Sequence, residues 1–67
     1  MDGQVVAFDE PRGLGTVESD GTDYPFHCTA IADGTRTIDV GAAVTFEVRP
    51  AAMGRWEATQ IAEPGPP

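Results

Sequence analysis

Two short segments near the N-terminus are the most informative part of this chain: residues 12–17, RGLGTV, and residues 23–31, DYPFHCTAI. Both have the composition of short strands that adjoin turns. Residues 19–22, SDGT, lie between them and supply a turn of the Asp-Gly type, which is typical of a tight hairpin. The sequence therefore predicts that the two segments form neighbouring antiparallel strands.

Outside this hairpin, further apolar segments alternate with turn residues. We predict five strands, at residues 4–8, 14–18, 23–28, 43–49 and 55–61. Short strands separated by turns, without a helical period, favour an all-β sandwich or barrel, and a chain of this length favours a small barrel. The predicted core consists of Val5, Val17, Tyr24, Phe26, Ile31, Val44, Phe46, Val48 and Ile61.

The segment between the third and fourth strands reads as a longer crossover. Residues 29–42 have a looser pattern, with a turn at residues 33–34, and we expect Ile38 and Val40 to reach the core. Pro25 lies inside the third strand. Because proline removes a ladder donor, it predicts a locally irregular strand at that point.

Length and composition limit the class of protein. Sixty-seven residues make one domain, which we place at residues 1–62, followed by a Pro-rich tail at residues 63–67 that we expect to be disordered. No apolar run approaches the ~20 residues of a membrane span, and no signal peptide is evident. A single cysteine, Cys28, excludes an internal disulfide. We expect a soluble, cytoplasmic protein.

The charge balance bears on possible partners. Eleven acidic residues stand against four arginines, with no lysine, and give a net charge of −7. Basic side chains that neutralise phosphates supply most of the non-specific affinity for nucleic acid, so this charge argues against tight binding. The sum of charges does not exclude binding, because the distribution of charge over the surface matters more than the total.

Candidate catalytic residues are few. His27 and Cys28 are adjacent, and neighbouring side chains in a strand point to opposite faces, which is poor geometry for a nucleophilic pair. One cysteine and one histidine also fall short of a structural zinc set. Residues 12–15 lack the Gly-Lys-Ser/Thr ending of a phosphate-binding loop. We therefore predict no enzymatic activity, no cofactor and no metal.

Five fragments, in order along the chain, resemble the bacterial cold-shock domain family. That family reads KGFGFI where this chain has residues 12–17, and DVFVHFSAI where it has residues 23–31. The other three match the family's opening, fourth and closing strands: residues 3–9 (GQVVAFD), residues 41–48 (GAAVTFEV), and Gly54 with residues 58–61 (ATQI). The resemblance covers nearly the whole chain and implies a five-stranded antiparallel OB-fold barrel of the cold-shock type.

In that family, a face on the second and third strands binds single-stranded nucleic acid. The resemblance implies the same partner here, single-stranded RNA or DNA, in the regulation of gene expression. The implied nucleic-acid-binding residues are Phe8, Arg12, Leu14, Thr16, Pro25, His27 and Arg36. At positions that are usually aromatic in the family, this chain has Ala7, Leu14, Thr16, Pro25 and Cys28. Since a stacked base contributes roughly 1–3 kcal/mol, we expect weak binding with low sequence specificity.

Several of these residues have a second interpretation. Phe8 suits a packing position at the rim as well as a stacking platform, and Arg12 suits a solvated turn. Arg36 and Arg55 border the family's ligand groove, but solvated surface is the favoured reading for both. Trp56 has no usual counterpart in the family and fits either the core or a replacement stacking platform.

A different function also fits the sequence. Small apolar residues in place of aromatic ones suit burial against a protein partner, through a patch of Val6, Ala7, Leu14 and Pro25. The chain would then be a repurposed OB-fold interaction module that has lost nucleic-acid binding. In a less favoured variant, the acidic surface itself mimics nucleic acid.

Overall fold

A computed structural model describes residues 1–32, 34 and 36–63 of the chain. Its strands are β1 (Asp2–Asp9), β2 (Leu14–Ser19), β3 (Thr22–His27), β4 (Ala43–Pro50) and β5 (Trp56–Ala62). Two short 3-10 turns, Cys28–Ala30 and Ala52–Gly54, follow β3 and β4. The all-β prediction is confirmed. The predicted turn at residues 33–34 and the predicted tail at residues 63–67 lie largely outside the described residues.

The five strands form one antiparallel sheet in the order β3-β2-β1-β4-β5. β1 lies at the centre, and β3 and β5 are the two edges. These edges pack against each other, but no ladder joins them in the described part of the chain. We call the line along which β3 and β5 pack against each other the seam. Because the sheet is open along the seam, closure into a barrel stays a prediction.

The segment that follows β3 is hydrogen-bonded to β5 at one end of the seam. Ile31 forms an isolated parallel bridge with Ile61 of β5, and the Ala32 N–H donates to the Ile61 carbonyl at 2.8 Å. Since Ile31 and Ile61 are both buried, the same contact that joins the crossover to β5 also fills the core.

One hydrophobic core lies on the inner side of the sheet. Its buried members are Val5, Val17, Phe26, Ile31, Ile38, Val44, Phe46, Ala58 and Ile61. The predicted core is therefore confirmed except for Tyr24 and Val48, which are half-buried against it. The prediction for Ile38 is confirmed, whereas that for Val40 is wrong. A turn closed by the Ala42 N–H donating to the Asp39 carbonyl at 3.1 Å leaves Val40 62% exposed.

A bulge in β5 decides where Trp56 lies. Ala58 and Ile61 are three residues apart and both buried, which a regular strand does not allow. Gln60 has a left-handed backbone with φ of 52°, and the pairing with β4 shifts beside it. Trp56 shares the inward side with Ala58, but it lies at the start of the strand, beyond the core, and is 54% exposed. Trp56 is therefore not a core residue.

A second irregularity, in β1, brings two phenylalanine rings together. Pairing with β2 shifts between Val5 and Ala7, so that Val6 bulges out and Phe8 turns towards the core. The Phe8 ring lies parallel to that of Phe26, with centroids 6.0 Å apart and planes inclined by 10°. Phe8 is half-buried by this contact, in agreement with the packing interpretation.

Gly15 leaves the space in which these rings meet. It pairs with Phe8 on one side and with Phe26 on the other. A Cβ on Gly15 would overlap the end of the Phe26 ring and would lie 2.9 Å from the carbonyl oxygen of Ala7. The backbone of Gly15 is not left-handed, so steric exclusion rather than conformation requires glycine here.

We expect Gly15→Ala to lower the free energy of unfolding by about 1–3 kcal/mol, because the added methyl group overpacks the site. Urea unfolding followed by far-ultraviolet circular dichroism measures this change. Ala7→Ser adds one atom on the exposed side of β1 and should stay within about 0.5 kcal/mol of the parent. A gain in stability for Gly15→Ala, as glycine replacement gives at unstrained open sites, would contradict the packing described here.

Candidate functional site

The exposed side of β1, β2 and β3 brings most of the predicted site residues together. Ala7, Thr16 and Pro25 lie directly opposite one another in a row across the three strands, and Leu14 pairs with His27 in the next row. All five point away from the core. We call this surface, made of Ala7, Leu14, Thr16, Pro25 and His27, the outward face.

The outward face contains a shallow, mostly apolar depression. Its lining residues are Ala7, Phe8, Asp9, Leu14, Gly15, Thr16, Pro25 and Phe26. Leu14 is 49% exposed there, and Thr16 is half-buried. Such a surface can cover the flat face of a planar apolar group. It carries one charged residue, Asp9, which is acidic.

His27 lies at one end of this surface and is held by the turn that follows β3. Its Nδ1 accepts a hydrogen bond from the Thr29 backbone N–H at 3.3 Å and lies 2.9 Å from the Thr29 hydroxyl. Because Nδ1 accepts from the backbone, the neutral ring carries its proton on Nε2. The ring is exposed, so Nε2–H is a donor available to a ligand.

The expected separation of His27 from Cys28 is wrong in detail. The third strand ends at His27, and Cys28 begins a 3-10 turn, so the two side chains are not on opposite faces of a strand. The Cys28 sulfur lies 3.9 Å from Nδ1. Nδ1 also accepts from the Thr29 N–H, so the thiol and the backbone approach the same nitrogen.

Arg12 lies in the tight turn between β1 and β2. The Gly13 N–H donates to the Asp9 carbonyl at 2.8 Å, and the Cys28 N–H donates to the Gly13 carbonyl at 2.7 Å, which fixes the turn beside the end of β3. The Arg12 guanidinium pairs with the Asp9 carboxylate at 3.6 Å, and both side chains are exposed. Because exposed ion pairs are weak, an anionic ligand can compete for Arg12.

The other arginines divide into two kinds. Arg49 forms an ion pair with Glu57 at 2.6 Å on the β4–β5 side of the sheet. Arg36 is exposed in the crossover, and no contact in the described chain joins it to the outward face. Arg55 precedes β5 and, within the described residues, its side chain has no hydrogen bond or ion pair.

Arg55 belongs to a second depression that the sequence did not predict. It is lined by Thr22, Asp23, Tyr24, Pro25, Arg55 and Trp56 and lies on the seam between β3 and β5. We call it the seam cleft. Pro25 lines both the seam cleft and the depression on the outward face. The sequence signal was present in the adjacent Arg55 and Trp56, but only the fold places them beside Pro25.

Acidic side chains border this surface. Glu18 and Asp23 pair across β2 and β3, one row beyond Thr16 and Pro25. The Glu18 carboxylate accepts from the Gly21 N–H at 2.9 Å, which holds it at the hairpin turn. In the described residues, no group of three or more His, Cys, Asp or Glu side chains is placed to bind a metal ion. No described helix is long and apolar enough to cross a membrane.

No protein-family model matches this chain, and no curated protein matches it. The cold-shock resemblance therefore stands on the five sequence fragments alone. Function has to be inferred from the shape, exposure and charge of the outward face and of the seam cleft.

The position of His27 gives a direct test of the local geometry. At a pH where the imidazole is neutral, we expect long-range ¹H–¹⁵N spectra to show the proton on Nε2, with Nδ1 as acceptor. Thr29→Val removes the hydroxyl and should reduce this preference, whereas Thr22→Val, the same change at the far end of β3, should leave it unchanged. A ring protonated on Nδ1 would contradict the observed hydrogen bond.

Proposed function

We propose that this chain binds single-stranded RNA or DNA on its outward face, weakly and with low sequence specificity, and so takes part in the regulation of gene expression. The fold we propose is the OB-fold of cold-shock domains, with the seam as the place where the barrel closes. The packing of β3 against β5 and the bridge between Ile31 and Ile61 support this closure.

One observation carries the proposal. The outward face is an exposed apolar surface with a guanidinium group near each end, Arg12 in the β1–β2 turn and Arg55 at the seam. Bases that are unstacked from their neighbours present flat apolar faces, whereas phosphates require cations at the margins. Leu14 and Pro25 can cover a base, and the His27 Nε2–H can donate to it.

The same residues explain why the binding is weak. Leu14, Thr16 and Pro25 have no π system, so a base gains apolar contact there without aromatic stacking. One face of the half-buried Phe8 ring packs against Phe26 and is therefore not available to a base. The acidic pair Glu18 and Asp23 repels phosphates along one margin.

The dependence of the binding constant on salt concentration should be shallow. At most Arg12 and Arg55 reach the proposed path, and Arg12 must exchange Asp9 for a phosphate. Each phosphate contact to a single strand contributes a slope of about −0.7 to the dependence of log K on log salt. Two contacts therefore give a slope of about −1.4, far below that of proteins with long basic grooves.

A protein partner is the second candidate function, and one observation favours it. Val6 and Leu14 are 44% and 49% exposed on the neighbouring strands β1 and β2, and Leu14 pairs with the acidic residue Asp9. An apolar patch beside a carboxylate suits a basic, partly apolar peptide.

Amide chemical shifts distinguish these functions. We expect a short pyrimidine-rich single strand at low salt to cause saturable shifts on β1, β2, the turn between them and β3, including Ala7, Leu14, Thr16 and His27. Added salt should reduce them slightly. Absence of localised shifts at millimolar oligonucleotide would overturn the nucleic-acid proposal.

A matched pair of variants gives the sign of the electrostatic effect. Asp23→Asn removes a negative charge beside Pro25 and should tighten binding of the single strand about two- to fourfold at low salt, because a unit charge about 7 Å from a phosphate repels it weakly in water. Asp2→Asn makes the same change at the far end of β1 and should have little effect. Weaker binding by Asp23→Asn would contradict the repulsive role of this carboxylate.

A further inference from the structure

Trp56 is the largest side chain at the surface of the seam. It is 54% exposed, although its backbone pairs with Pro50 and belongs to the regular part of β5. The bulge at Gln60 places Trp56 on the inward side, where the core ends before reaching it. The indole therefore forms a wall of the seam cleft, opposite Tyr24 and Pro25 of β3.

The backbone around Trp56 is well fixed. The Ala51 N–H donates to the Arg55 carbonyl at 2.7 Å, and the Arg55 N–H donates to the Ala52 carbonyl at 3.4 Å. Met53 and Gly54 both have left-handed backbones, with φ of 63° and 73°, which tighten this connection. Because the turn is closed and the strand is paired, the backbone that carries the indole loses little conformational freedom when a ligand packs on the ring.

The charges around the indole suit an anionic ligand with an aromatic part. Arg55 precedes Trp56 in the same cleft, and its guanidinium has no ion pair within the described residues, whereas Arg12 and Arg49 are paired. Asp23 on the opposite wall disfavours a second phosphate. The cleft therefore fits one nucleotide, with its base on the indole and its phosphate near Arg55.

The cleft is also continuous with the outward face. Pro25 lines both depressions, so a strand that lies over Leu14 and Pro25 reaches Trp56 next. We infer that Trp56 is a base-stacking platform, and that the seam cleft binds one unpaired base of the strand bound by the outward face. This inference rests on the proposed function and assigns to it a subsite outside β1 and β2.

The chain contains a single tryptophan, so its intrinsic fluorescence reports on this position alone. We expect a short pyrimidine-rich single strand to quench that fluorescence in a saturable manner, and the complex to protect the indole from acrylamide. Quenching should follow the same binding curve as the amide shifts of Leu14 and His27.

Variants of Trp56, the first residue of β5, and of the turn that precedes it give the matched comparison. Trp56→Ala should weaken binding about 5- to 150-fold, which corresponds to the loss of one stacked base. Trp56→Phe keeps a smaller ring and should fall between Trp56→Ala and the parent. Met53→Ala removes a side chain that is 94% exposed on the same turn but not aromatic, and it should leave the affinity unchanged. Amide spectra check that each variant is folded.

The outcomes separate this inference from the proposed function. Saturable amide shifts on the outward face without quenching, together with an unchanged affinity for Trp56→Ala, would overturn the role of Trp56 and leave the outward face as the binding site. A loss of affinity in Met53→Ala equal to that in Trp56→Ala would also overturn it, since general apolar contact would then suffice. Absence of both shifts and quenching would overturn both proposals.

Discussion

The parallel contact between Phe8 and Phe26 above Gly15 sets which residues of β1, β2 and β3 face the core. It joins three neighbouring strands at one point, because Gly15 of β2 lies between the two rings and offers no side chain to separate them. Aromatic pairs across a strand glycine pin the register of a sheet. Once Phe8 and Phe26 face inward, alternation turns Ala7, Thr16 and Pro25 outward.

That constraint explains the character of the surface. The aromatic rings nearest the outward face are used for packing, and the residues left outside are small, apolar or hydroxylic. A surface of this kind binds a flat group by contact area, and its affinity depends on cations at its margins. Arg12 lies at the turn between β1 and β2, whereas Arg55 lies in the seam cleft, which Asp23 also lines. Asp23 pairs with Glu18, so two carboxylates lie on the Arg55 side of the outward face.

The seam contains a cleft between the two edge strands. Pro25 has no N–H to donate, which suits its place on the edge strand β3. The edges β3 and β5 pack through side chains at this end, and the opening between them holds Tyr24 and Trp56. An edge that does not complete a ladder leaves room for a ligand, and here that room adjoins the outward face.

Each segment, taken alone, predicts its strand and most of the core residues in it, because alternation is a local property with a period of two residues. Val5, Val17 and Phe26 could be assigned to the interior from their own segments. The folded chain, in contrast, is needed to establish the exposure of Trp56 and Val40, the nearness of Cys28 to His27, and the presence of Arg55 and Pro25 in one cleft. Each depends on a bulge, a local turn or the approach of two edges, and none of these follows from the alternation of residues within a single strand.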